Sequence, residues 1–107
     1  MKIKGLDFYC TCNACPEQYE VYDIDSGRHV GYVRLRWGGL RCDYPDTGGE
    51  TIYHANIGDG WTGEFESEKQ RMEHLNNIAD KIIEKMTIED AIEKMYIEAI
   101  CMSEFER

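Results

Sequence analysis

The chain has only two prolines, Pro16 and Pro45, and beyond Gly63 it has neither proline nor glycine. Residues 64–107 therefore lack the two residue types that interrupt helices most strongly. Lys and Arg are missing from the stretch between Cys42 and Lys69, which carries seven acids: Asp43, Asp46, Glu50, Asp59, Glu64, Glu66 and Glu68. Long apolar runs are missing too, and none approaches the roughly 20 residues of a membrane span. The opening Met1-Lys2-Ile3-Lys4-Gly5 lacks the apolar core of a secretory signal. A cytoplasmic protein is expected, with its five cysteines mostly reduced. No segment carries a firm catalytic signature, so the chain is read as a non-enzyme.

What is present describes one domain over residues 1–107. A hydrophobic content of 42% with 11% aromatics argues against disorder and suffices for one modest core. The net charge of −9 is uneven: six basic residues face nine acidic ones in 1–63, and six face twelve in 64–107. The arginines lie mostly just before the acid block, at Arg28, Arg34, Arg36 and Arg41. Such segregation favours a basic partner and disfavours nucleic-acid phosphates and anionic membranes.

Two regimes meet near Gly63, and the predicted fold is α+β: an antiparallel meander of four or more strands over about 1–63, packed by two helices over 67–106. Val33, Leu35 and Trp37 alternate with Tyr32, Arg34 and Arg36, the period of a half-buried strand. A two-residue turn at Gly38-Gly39 would set Trp37 opposite Leu40, Leu35 opposite Cys42 and Arg34 opposite Asp43. A turn at Gly48-Gly49 would set Cys42 opposite Ala55 and Asp43 opposite His54. Pairing Ile24 with Val30 would add Glu20 beside Arg34, giving an outer row Glu20–Arg34–Asp43–His54 of alternating charge. That row is read as a solvated face, with a polar binding face as the alternative. Lys2 to Tyr9 would add a strand of undetermined place.

Ser67, with Gln70 three residues on, reads as a helix cap. Met72, Leu75, Ala79, Ile82 and Met86 form its apolar stripe, widened by Ile78 and Ile83. Thr87, with Asp90 three residues on, reads as the cap of a second helix from Ile88 towards Phe105. Ile88, Ile92, Met95, Ala99 and Met102 form one stripe there, widened by Tyr96, Ile97, Ile100 and Phe105. Such a helix either fills the core or meets another chain.

Four cysteines, Cys10, Cys12, Cys15 and Cys42, offer a zinc set, though zinc usually takes two close pairs and only the first three cluster. The alternative is that they are buried or incidental thiols. Cys12-Asn13-Ala14-Cys15 has redox spacing but precedes Pro16 and a strand, not a helix N-terminus. Gly58, Gly60 and Gly63 spell G-x-G-x-x-G, yet acids follow and no βαβ unit surrounds them. That loop is read as a crossover whose Trp61 and Phe65 pack on the sheet.

The blocks Cys15-Pro16-Glu17-Gln18-Tyr19-Glu20-Val21, Gly31-Tyr32-Val33-Arg34-Leu35-Arg36-Trp37-Gly38, Gly48-Gly49-Glu50-Thr51-Ile52-Tyr53 and Gly58-Asp59-Gly60, with Phe65, Arg71 and Leu75, resemble a group of small phage and prophage proteins. The likeness spans about residues 15 to 83; Cys10, Cys12 and the second helix depart from it. It brings no enzymatic activity. It implies residence in a host bacterial cytoplasm and action by binding, as in anti-CRISPR and other anti-defence inhibitors. The acids from Asp43 to Glu68 would then occupy a Lys/Arg groove of a basic host protein that handles nucleic acid. Two alternatives stay open: a zinc module on the cysteines, and an assembly protein forming a homodimer through the second helix.

Overall fold

The computed structural model describes residues 1–12, 17–58, 60 and 63–105, with side chains as far as residue 99. Six strands, β1 (Lys2–Ile3), β2 (Leu6–Cys12), β3 (Glu17–Asp23), β4 (His29–Arg36), β5 (Gly39–Tyr44) and β6 (Glu50–Asn56), precede one helix, α1 (Glu68–Phe105). The strands lie in chain order in one antiparallel sheet, each paired with its sequence neighbours. The expected α+β meander is therefore present, with Lys2 to Tyr9 supplying β1 and most of β2 at one edge.

The expected registers need correction by two residues each, and by three beyond the bulges in β3–β4 and β5–β6. The β4–β5 turn is Trp37–Gly38, not Gly38–Gly39, and it sets Leu35 opposite Leu40, Val33 opposite Cys42 and Arg34 opposite Arg41. Both turn residues have positive φ, 53° and 70°, as a type I′ hairpin requires. Gly38 is fixed there by space as well, because a Cβ would lie 2.5 Å from Gly60 Cα. Strand β5 then pairs Cys42 with Tyr53 and Arg41 with His54, with a bulge between Cys42 and Asp43. On the other side Glu20 meets Tyr32, and Gln18 meets Arg34. A slip of two keeps residues on their face up to the bulges, because side chains alternate with period two. Trp37, expected on the apolar face, lies instead in the turn and is exposed, and Asp43, expected on the outer face, is buried. Val33, Leu35, Leu40, Cys42 and Tyr44 thus lie in the core as expected, while their cross-strand partners differ.

Helix α1 lies across that apolar face. Leu75, Ile78, Ala79 and Ile82 are fully buried with Phe8, Val21, Val33, Leu35, Leu40, Cys42 and Ile57. Gly31 lets the helix come close: a Cβ there would sit 2.9 Å from Ile82 Cδ1. The Ser67 cap is formed, with Gln70 N–H donating to Ser67 Oγ at 3.1 Å and Glu66 N–H to Gln70 Oε1 at 2.8 Å.

The two predicted helices are one. Thr87 does not cap a second helix; its hydroxyl donates to the Ile83 carbonyl at 2.8 Å, within the turn it was expected to end. With no glycine or proline from residue 64 onward, nothing stops propagation from the packed half. Thirty-eight residues make a rod of about 57 Å. The molecule measures 63 × 23 × 19 Å, so the rod outruns its sheet. The last ties are Lys85 to Glu50, and a chain in which Arg28 donates to Tyr44 Oη (2.7 Å) and Tyr44 Oη to Glu89 (2.8 Å). Every described side chain from Thr87 to Ala99 is exposed.

Candidate functional site

The seven acids singled out above do not form one open face. Asp43 is only 3% exposed; it accepts from Thr51 Oγ1 at 2.9 Å and lies 3.3 Å from Arg41 Nε. Asp46 accepts from Thr47 N–H and stands 3.5 Å from His29 Nδ1. Glu50 is paired with Lys85, and Glu68 with Arg71. Glu64 and Glu66 are exposed just before the helix, and Asp59 lies outside the described residues.

The cysteines separate as well. Cys10 and Cys42 share a cross-strand row with β3 and β4 between them, about 14 Å at ordinary strand spacing. Cys42 is in the core, where burial and then the Asp43 carboxylate push its thiol from 9.0 up to about 12. Cys12 pairs with Gln18, in the row that runs over the opposite face. Cys15 and Trp61 fall outside the described residues, while Phe65 packs in the core as expected. The cluster of metal-ligand type among the described residues is a different one, Glu20, His29 and Asp46. His29 Nε2 lies 2.5 Å from Glu20 there, brought to it by a bulge between Val21 and Tyr22.

Glu17, Tyr19, Tyr53, Phe65 and Arg71 hold helix to sheet. Arg71 forks onto Glu17, Nε to Oε2 at 3.0 Å and Nη2 to Oε1 at 2.9 Å, and Tyr19 Oη donates to the same carboxylate at 2.7 Å. Burial and then that hydrogen bond raise the Tyr19 phenol well above its usual range, and the Glu17 bond raises the Arg71 guanidinium. Phe65 lies under the guanidinium at 5.6 Å and against His74, which bonds Tyr53 Oη at 2.7 Å. These groups are spent on one another, as a structural network is.

Among the described residues, two surfaces stand out as open. One is the outer face of the sheet, where the true register lines up Gln18, Arg34, Arg41 and His54. The other is the far half of α1, where Ile88, Ile92, Met95, Tyr96 and Ile97 are 48–69% exposed. At 3.6 residues per turn, the line through Ile88, Ile92 and Met95 lies about 140° round the axis from that through Leu75, Ala79 and Ile82. The distal stripe therefore points away from the sheet's side of the helix. The sequence contained this signal as a break in phase, visible only if the two helices are known to be one. No helix among the described residues is long and apolar enough to cross a membrane.

No family model matches the chain, and neither a curated protein nor a solved structure matches it.

Proposed function

We propose that this chain is a non-catalytic interaction protein that assembles through the projecting half of α1, its first partner being a second copy of itself. The observation that carries the reading is the row of large apolar side chains left in solvent on a helix that has run past its sheet. A helix apolar on several sides is stable in water when something covers it. The 4-3-4 spacing of Ile88, Ile92, Met95 and Ala99 is the seam of a two-helix coiled coil, self-complementary by construction. With Ile92 and Ala99 at a and Ile88 and Met95 at d, the flanks are Glu89, Ala91, Tyr96 and Glu98, two uncharged and two acidic, so the apolar seam and not flank ion pairing would hold two copies together. Glu89 is already tied to Tyr44.

The wider reading drawn from the motif resemblance is that a phage- or prophage-derived inhibitor offers its Asp43–Glu68 carboxylates to a basic host protein. It has less support, because Asp43, Glu50 and Glu68 each stand beside a cation of the chain itself and Asp46 stands beside the His29 ring. Zinc held jointly by Cys42 and the N-terminal cysteines has less still, given the strands between them.

Sedimentation equilibrium of the intact chain tests the proposal. The expected mass is twice the 12.5 kDa of one chain, falling to a single chain in Ile92→Glu with unchanged helical circular dichroism. A wild-type chain that stays monomeric at every concentration reached would overturn it.

A further inference from the structure

We infer that the outer face of the sheet, at the β4–β5 end, binds a nucleoside phosphate. Arg34, Arg36, Trp37, Gly39, Arg41 and His54 line a shallow depression of about 200 Å³ there. Arg34 stands directly opposite Arg41, and His54 directly opposite Arg41 on the next strand. Like charges facing each other across strands destabilise a sheet. This chain has 21 acids to its 12 basic residues, so counter-ions were abundant. Yet among the described residues Arg34 and Arg36 take part in no ion pair, and Arg41 reaches Asp43 alone. Among the described residues, three guanidiniums and an imidazole are gathered with one carboxylate, Asp43, beside Arg41. An anion with several oxygens would bridge Arg34 and Arg41 and remove the repulsion, through the charged forks that suit phosphate.

Trp37 supplies the second half of the argument. It holds the first position of the type I′ turn at φ 53°, where Asn or Gly is preferred and a bulky ring is an outlier. The residue is 62% exposed and lines the same depression. An exposed indole beside a guanidinium cluster stacks a planar base while the cations take the phosphate. The small size of the depression and the net charge of −9 favour one nucleotide over a polynucleotide, whose further phosphates would be repelled.

Calorimetric and NMR titrations of the full chain with AMP, inorganic phosphate, adenosine and a single-stranded oligothymidylate test the inference. AMP is expected to bind and to shift the Arg34, Arg41 and His54 signals, inorganic phosphate to bind the same residues more weakly, and adenosine to shift none. Arg34→Gln with Arg36→Gln should weaken AMP and phosphate at least about tenfold, the loss of one or more charged hydrogen bonds. That double variant should melt no lower than wild type, because it relieves repulsion. Trp37→Asn should keep the turn, since Asn-Gly is its preferred pair, and reduce AMP to the affinity of phosphate. The inference is overturned if neither AMP nor phosphate shifts these signals, or if AMP binding survives Arg34→Gln with Arg36→Gln. It is equally overturned if the oligonucleotide binds more tightly than AMP.

Discussion

The two halves of α1 are nearly alike in composition and opposite in fate. From Met72 to Met86 the apolar stripe is covered by the sheet; from Ile88 to Ala99 the apolar side chains stand in water. Hydrophobicity does not separate them. Phase and reach do, because the distal stripe is rotated away and the sheet has ended by Tyr44 and Glu50. A long helix nucleated on a core extends at little cost. What it carries beyond the core is available for a partner.

Substitutions on the packed half should show the largest effects. Arg71→Met leaves the buried Glu17 carboxylate without its cation and is expected to cost about 3–5 kcal/mol in urea denaturation. Ile82→Ala, in the fully packed stripe, should cost about 2–5 kcal/mol. Ile92→Ala, the same truncation ten residues on, should change monomer stability by less than about 0.5 kcal/mol while weakening association. Equal costs at the two sites would erase the distinction between the halves.

A smaller effect follows from Cys42 beneath the packed half. Its folded pKa of about 12 lies above the ordinary 9.0, so the unfolded chain ionises first. The contribution is whole below pH 9.0 and fades as pH rises towards 12. Tyr44, also raised to about 12 by burial and then by its bond to Glu89, adds to the same alkaline decline from its ordinary 10.0. Denaturation midpoints should fall across this window, less steeply in Cys42→Ala. The smallest expected change is at the join. Thr87→Ala removes only a back-bond to Ile83 and gains helix propensity, so it should stabilise by at most about 0.7 kcal/mol; a loss of helix content would mean that Thr87 does act as a cap.

The sequence made the apolar face of the sheet legible because alternation survives any even slip. Val33, Leu35, Leu40 and Cys42 were assigned to the core on a register two residues out. The outer face was not legible, since charge partners depend on which residues make the turn. Moving it from Gly38-Gly39 to Trp37-Gly38 turned an expected Arg34–Asp43 pair into Arg34 against Arg41. Gly38-Gly39 has the composition of a turn, yet a Cβ on Gly38 would collide with Gly60, a contact 22 residues away that no local pattern carries. Ser67 was legible because capping is local chemistry. Thr87 was misread for the same reason: its hydroxyl suits a cap and a back-bond alike, and only the continuity of the helix decides.

Amide hydrogen exchange along α1, followed as protein concentration is raised, tests the contrast between the halves most directly. Residues 72–86 should be protected at every concentration, and residues 88–99 should gain protection as the chains associate. Residues 88–99 exchanging at the same rate from the most dilute to the most concentrated sample would contradict self-association through the arm.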